Sequence, residues 1–439
     1  MAIITYENIS IHGITYKRIL DVKIEQIVGE HAKAQVRLEV EENEGISFVE
    51  TAGTDTKVQI QADSSAIFYG VVYKTEQKNL NGYPELEVTL LSTSFRLDLE
   101  PKTATYQKTG MSHEELMNQV VGPKATIQFA ASDKPLGSWN YRNQETDWCF
   151  VQRLASQCGH SIITNIRTEI PVITVGLSGD KAECKNVETE HFSNGENIIY
   201  RTYDMVSLGC IYENGEYINS ITTYLEKGYL ITQFTTAQRN SFSCKQIYND
   251  QSVCKMLTGK VQNVDKERVQ VFFDGIDEVY EEGDTWFEYA TPFATNGGTY
   301  GSGFYVMPEE EDIVKVFIPE ADEGTAFAFG AEGNAGTGNP LEARWRAPGG
   351  QEILFTESGI RITGKENSIF IDMNIGSDAG INVFCDGNIT LDKAKTIEIT
   401  GKKGVTLYAD NKVLLEGAAT RLEIDKEKIV FQGEYVQIN

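Results

Sequence analysis

The fold is decided by ten short segments near the end of the chain: IRIT (360–363), SIFID (368–372), GINVF (380–384), NITLD (388–392), TIEIT (396–400), GVTLY (404–408), VLLE (413–416), LEID (422–425), IVF (429–431) and YVQIN (435–439). Most of them alternate apolar and polar residues, which puts one side of a strand in a core and the other in water. One thin chain folded this way has many open strand edges, and open edges pair with other chains. We therefore predict that residues 351–439 form a β-helical needle from several copies of the chain.

Ten apolar side chains on these strands are predicted to point into the core that the copies share. They are Ile369, Ile371, Ile381, Val383, Ile389, Leu391, Ile397, Ile399, Val405 and Leu407.

Composition limits the kind of partner that the protein has. The chain has 439 residues, enough for about three domains, and a net charge of −25. Such a surface does not suit nucleic acid, because binding phosphates requires many lysines and arginines. No apolar run approaches the ~20 residues of a membrane helix, and the N-terminus lacks the basic and apolar regions of a signal peptide. We expect synthesis in the cytoplasm, with the seven cysteines reduced.

The rest of the chain divides into a series of mainly β regions. Residues 1–100 and 165–253 read as two β domains, and 101–164 as an inserted segment with helices. Ser112 and Glu115 have the spacing of a capping box, and an apolar stripe predicts a second helix over about 145–158. Residues 254–330 contain about five short strands, which suits an OB-fold, and 331–350 form a glycine-rich linker.

A search for catalytic and metal-binding patterns finds little. The five histidines, His12, His31, His113, His160 and His191, show no metal-ligand spacing, and the acidic runs lack the spacing of a calcium loop. No motif of a nucleophilic or zinc-dependent hydrolase is present in the sequence. We predict no enzyme activity, no cofactor and no metal.

Several blocks resemble one family in the same order along the chain. YRNQETDWCFVQRLA (141–155) resembles the helix start of the VgrG and phage tail-hub family, and residues 259–273 with 286–292 resemble its OB-fold block. YVMP (305–308) and APGGQEILF (347–355) fit the same family, the latter at its transition into the needle. The resemblance covers nearly the whole chain.

The resemblance implies a mainly β fold with two tube-like β-barrel domains, a helical insert, an OB-fold and a C-terminal intertwined triangular β-helix made by three chains. It implies a homotrimeric hub and cell-puncturing spike in a contractile phage tail, a phage-tail-like bacteriocin or an injection device. Its partners would be tail tube and baseplate proteins and, transiently, the target envelope. The particle would act outside the producing cell.

Departures from the family direct attention to the tip. The linker is too short for the lysozyme domain of some members, and no histidine follows His191 to bind iron as in some phage spikes. Related spikes carry a separate cone-shaped PAAR-repeat protein, so we expect a PAAR-like partner at Tyr435, Val436 and Ile438. Two alternatives stay open. One is a trimeric receptor-binding fibre, which would not need the two tube-like domains, and the other is a cell-wall polysaccharide hydrolase.

Overall fold

The computed structural model describes residues 3–80, 82–185, 187–191, 198–213, 215–277, 285–294, 302–332, 338–365, 368–376, 379–392 and 395–435. The chain forms two compact units, Met1–Gly336 and Thr337–Asn439. Both are built mainly from strands. The mainly β class predicted from the alternating segments is therefore confirmed.

The elements of the first unit, in chain order, are these. The helices are α1 (Glu42–Thr51), α2 (His113–Val121) and α3 (Asp147–Gln157), and the 3-10 helices are Tyr6–Asn8, Thr93–Leu97, Gly122–Lys124, Arg239–Phe242, Asp250–Ser252 and Glu323–Thr325. The strands are β1 (Ile9–His12), β2 (Arg18–Ile27), β3 (Lys33–Glu39), β4 (Lys57–Ala62), β5 (Ser65–Leu80), β6 (Tyr83–Ser92), β7 (Lys102–Tyr106), β8 (Thr126–Phe129), β9 (Asn140–Glu145), β10 (Ile162–Asn165), β11 (Val172–Val175), β12 (Glu188–His191), β13 (Ile198–Thr202), β14 (Tyr217–Glu226), β15 (Tyr229–Ala237), β16 (Lys255–Asp265), β17 (Arg268–Phe272), β18 (Trp286–Tyr289), β19 (Phe293–Ala294), β20 (Ser302–Gly303), β21 (Ile313–Ile318) and β22 (Phe327–Glu332).

A ten-stranded sheet with the order β1-β4-β5-β6-β3-β2-β14-β15-β13-β12 dominates this unit. It draws strands from both predicted β domains, because β2 pairs with β14 in the register Ser220↔Ile27. The residues just before β1 also reach β15: the Leu230 N–H donates to the Ile4 carbonyl at 3.0 Å. The sheet borders two cores: one in which residues such as Val36 and Leu86 are fully buried, and a smaller one that includes Ile221 and Phe234.

The inserted segment packs its helices on the small sheet β10-β11-β8. The Ser112 hydroxyl accepts from the Glu115 N–H at 3.1 Å, so the predicted cap of α2 is confirmed. The hydroxyl of Thr146 accepts from the Cys149 N–H in the same way and begins α3. Gly159 follows α3 with φ +77°, a conformation that favours glycine.

Strands β16-β17-β18-β22-β21 close into a barrel. Its core is filled by alternate side chains of these strands, including Val261, Val271 and Val316. Two aromatic residues from the inserted segment, Trp139 and Tyr141, belong to the same core. The barrel and the insert therefore share a hydrophobic interior.

The second unit contains two antiparallel meanders. The first has the order β23 (Ala343–Arg346), β24 (Glu352–Thr356), β25 (Gly359–Lys365), β26 (Ile369–Asn374) and β27 (Gly380–Cys385). The second consists of β28 (Lys412–Glu416), β29 (Arg421–Asp425) and β30 (Ile429–Gln432). The predicted strands at 388–392, 396–400 and 404–408 are not strands in this chain: between β27 and β28, the described residues make no ladder. Alternation of apolar and polar residues indicates which side of a strand is apolar. A strand also needs a neighbour for its backbone hydrogen bonds, and alternation does not provide one.

Candidate interaction site

The first meander carries two rows of apolar side chains on one side. Its register aligns Trp345, Ile353, Ile362, Ile371 and Val383 across the five strands. Two residues away on each strand, a second row on the same side completes the set that we call the apolar face. That row consists of Ala343, Phe355, Ile360, Met373 and Ile381.

The opposite side of this sheet is mixed and makes its own contacts. The Arg361 guanidinium lies 4.0 Å from the ring centroid of Phe370 and 3.5 Å from the Asp372 carboxylate. Phe370 stacks on Phe384 with 5.1 Å between centroids. Polar side chains such as Asn382 complete this side, which suits contact with water.

The apolar face is uncovered within the chain. Ile381 is 70% exposed, and Val383 and Trp345 are each 56% exposed. Among the described residues of the second unit only Gly359 is buried. A large contiguous apolar surface of this kind marks an interaction site rather than an ordinary protein surface.

The second meander repeats the arrangement on a smaller scale. One side of β28–β30 presents only apolar residues, of which Phe431 is 59% and Leu415 53% exposed. The full set is Val413, Leu415, Leu422, Ile424, Ile429 and Phe431. Two separate sheets of the second unit thus leave an apolar side without cover from their own chain.

The predicted core residues fall into two groups in the structure. Ile371, Ile381 and Val383 lie on the apolar face, and Ile369 follows the same side of β26. The other six lie between β27 and β28 and are all more than half exposed: Ile389, Leu391, Ile397, Ile399, Val405 and Leu407.

Sequence reasoning missed the remaining members of both apolar sides. Ile360 and Ile362 stand in one of the alternating segments, and Val413 and Leu415 in another, so the alternation contained the signal needed to find them. Of the predicted tip residues, Tyr435 is 89% exposed. Val436 and Ile438 lie outside the described residues.

A second notable site is a buried ionic network where α3 meets the barrel. The Arg153 guanidinium binds the Glu145 carboxylate through two bonds of 3.0 and 2.8 Å, and donates to Glu323 at 2.8 Å. It also donates to the Tyr141 carbonyl at 2.9 Å, so its Nε and both Nη atoms have acceptors. Arg153 is 1% exposed and its carbon Cζ lies 4.9 Å from the centre of the Phe150 ring.

A neighbouring set of charges surrounds Asp147 at the start of α3. The Arg142 guanidinium donates to Asp147 at 2.8 Å, and Lys102 and Lys124 lie 3.0 and 3.4 Å away. Burial by itself raises the pKa of Asp147, but hydrogen bonds from Lys102 and Arg142 outweigh it and hold the pKa below its ordinary value. Burial raises the pKa of Glu323, and the facing charge of Arg153 offsets only part of that increase.

Among the histidines that the structure describes, His31 has the pKa that departs most from its ordinary value, and its side chain has a packing role. His31 lies against the Trp148 ring with 4.0 Å between centroids, and its Nδ1 is 2.9 Å from the Ser94 hydroxyl. Burial lowers the pKa of His31 to about 4, against the raising effect of Asp98. Across the described ranges, no three side chains of His, Cys, Asp or Glu are grouped as a metal site. No helix there is long and apolar enough to span a membrane.

Comparison of the sequence finds no matching family model and no matching curated protein. Solved structures do match. An E. coli protein, c3393, described as a type VI secretion component similar to the T4 tail proteins gp27 and gp5, aligns with TM-score 0.51 at 12% identity over 74% of this chain and 99% of its own.

The Francisella PdpA-VgrG complex also matches. Its half-lidded form aligns with TM-score 0.52 at 5% identity, covering 83% of this chain and 84% of the other. The lidded form gives TM-score 0.51 at 7% identity, covering 83% and 76%. At these identities, the likeness is one of fold.

Proposed function

We propose that this chain, which has the fold of the VgrG and phage tail-hub proteins, is the hub and cell-puncturing spike of a contractile tail or injection particle. The observation that carries the proposal is the uncovered apolar face. The second unit has only one buried residue among those described, so it lacks a core of its own. Its sheets would be stabilised by packing against the same sheets of other copies.

Copies of the same chain are the partners that fit the apolar face. The two rows of the face contain no charged side chain and continue across five strands, which suits an identical face better than a polar surface. We propose three copies, arranged as an intertwined triangular β-helix. The segments around Ile389, Ile397 and Val405 would then find their hydrogen-bonding neighbours on the other two chains.

The first unit would hold the spike in the particle. Its ten-stranded sheet would contribute the two tube-like domains, and three copies would present six of them to a sixfold tail tube. The closed barrel would be the OB-fold between hub and needle. Tail tube and baseplate proteins are the proposed partners of this unit, and nucleic acid is not.

The tip is proposed to bind a small PAAR-like protein. Tyr435 is 89% exposed, and three copies of this aromatic side chain would offer a partner an apolar surface. Docking would use Tyr435, Val436 and Ile438. The complex would pierce the target envelope transiently, outside the cell that made it.

The activity would be mechanical rather than chemical. Sheath contraction would supply the work, and a stiff needle would concentrate it on a small area of envelope. The c3393 protein, which shares the fold, is described as a secretion component similar to tail proteins, which supports a structural role without enzyme activity.

The experiment that tests the proposal measures the mass of the purified full chain and the activity of particles that carry it. We expect a trimer at micromolar concentration, and loss of envelope penetration when the second unit, residues 337–439, is deleted. A monomer would contradict the spike. A trimer that adsorbs to cells in isolation would favour the receptor-binding fibre, and release of sugars from cell walls would favour the hydrolase.

A further inference from the structure

Three charged side chains are buried where α3 meets the barrel. Arg153, Glu145 and Glu323 have side-chain exposures of 1%, 12% and 6%. Burying charged groups destabilises a protein unless the geometry of their hydrogen bonds is good. Here the geometry is good, because the Arg153 fork grips the Glu145 carboxylate through two parallel bonds.

Glu323 belongs to the barrel, and the insert holds it at two points. The Arg153 guanidinium donates to the Glu323 carboxylate at 2.8 Å, and the Trp139 indole N–H donates to the Glu323 carbonyl at 2.7 Å. Glu323 begins the 3-10 helix Glu323–Thr325, which connects β21 to β22. The contact therefore fixes one end of the barrel through a single residue.

The insert grips the barrel again at another strand. The Gln107 amide donates to the Val271 carbonyl on β17 at 2.9 Å and to the Asp277 carboxylate at 3.0 Å. The ring of Trp139, whose N–H makes one of the contacts to Glu323, also packs edge-on against Phe287 in the barrel core, with 5.0 Å between centroids. One attachment lies on the β21–β22 connection and the other on β17, and two separate attachments oppose the rotation that one would allow.

We propose that Arg153 is a latch residue that fixes the orientation of the barrel on the inserted segment, and that insert and barrel act as one rigid body. The latch is the set Arg153, Glu145 and Glu323. Its use in passing axial force from hub to barrel rests on the proposed function, whereas the latch itself is a property of the single chain. Arg153 acts by positioning the barrel and touches no reacting group.

The charges around the latch decide how it responds to substitution. Glu145 and Glu323 both face Arg153, and on the same side of α3 Arg142 is paired with Asp147, which Lys102 and Lys124 also approach. Removing the Arg153 charge leaves two carboxylates buried beside each other. Neutralising Glu323 instead leaves Arg153 with its fork on Glu145.

The test measures amide hydrogen exchange in the purified full-length protein, at residues 322–326 and, for comparison, at β16 and β17. Arg153→Met should raise exchange at 322–326 by tenfold or more and leave β16–β17 within threefold of the parent. Glu323→Gln should change it less than threefold, because an amide oxygen still accepts from Arg153. Arg153→Lys should not restore protection, because an ammonium cannot form the fork.

The decisive readout is rescue. In the Arg153→Met background, adding Glu323→Gln should lower exchange at 322–326 again, because it removes one of the two carboxylates that faced Arg153. Equal exchange in the parent and Arg153→Met would overturn the latch, as would a uniform rise without rescue. If Arg153→Met does not fold, Glu323→Leu replaces it: exchange equal to that of Glu323→Gln would refute the latch. None of these outcomes depends on assembly into a particle.

Discussion

Substitutions at the neighbouring residues Ile381 and Asn382 can distinguish an effect on assembly from an effect on folding. Both are exposed in the single chain, but Ile381 lies on the apolar face and Asn382 on the mixed side of β27. We predict that Ile381→Ala weakens the trimer strongly and that Asn382→Ala does not. In a monomer neither substitution would cost much, because neither side chain is packed.

The size of the effect follows from the exposed area. Full burial of an isoleucine contributes about 1.5–3 kcal/mol, so covering the 70% of Ile381 that is exposed contributes about 1–2 kcal/mol in each chain. Three chains change together, so assembly loses about 3–6 kcal/mol if truncation removes most of this contribution. At about 1.4 kcal/mol for each factor of ten, the equilibrium constant for dissociation of the trimer into three chains rises by about 10²–10⁴.

Sedimentation equilibrium over a dilution series measures this change directly, with thermal unfolding of the first unit as a check that the hub is intact. Ile381→Asp should abolish the trimer, because three carboxylates would enter an apolar core. The reasoning is refuted if Ile381→Ala and Asn382→Ala shift the equilibrium equally, or if both behave as the parent does.

Three further predictions test other parts of the molecule. Ile397→Asp should yield particles that fail to penetrate target cells, and normal penetration by such particles would argue against the mechanical role. Asp147→Asn should lower the thermal midpoint at pH 7 and flatten its fall in acid: the lowered pKa of Asp147 means that its stabilisation is present above its ordinary pKa and is lost as the pH falls through the folded-state pKa. The prediction is contradicted if Asp147→Asn and the parent have the same thermal midpoint at every pH from 7 to 2. Tyr435→Ala should weaken binding of a PAAR-like protein in a pull-down without changing the mass of the trimer, and unchanged capture would place the tip contact elsewhere.

Local patterns predicted local structure well. The cap at Ser112 and the apolar stripe that includes Leu154 located α2 and α3, and alternation located β25–β30 but also predicted strands at 388–392, 396–400 and 404–408 that make no ladder. Helix α1 was missed, because Gly45 lies within it and Glu41 provides no side-chain cap. Its partly buried residues Phe48 and Val49 pack against the large core, so tertiary contact stabilises it rather than propensity.

Contacts between distant segments lay beyond the sequence pattern. Nothing near Ile27 indicates a pairing with Ser220, and this pairing joins two regions that were predicted as separate domains. Arg153 and Glu323 stand 170 positions apart. The apolar face could be predicted in part, because alternation marks which side of a strand is apolar. The residues that meet across it depend on register, which the turns and bulges set.

The pairing of each strand in β23–β27 with its neighbour in sequence has a consequence for how the protein is made. Such a meander needs only short loops to close, so its hairpins form fast, whereas the β2–β14 pairing must wait until two distant segments meet. The second unit is also synthesised after the first. On the proposed trimer its stability comes from association, so its folding yield rises with the concentration of nascent chains. Hub folding would be first order and needle folding of higher order, and dilute expression would give intact hubs with unformed needles.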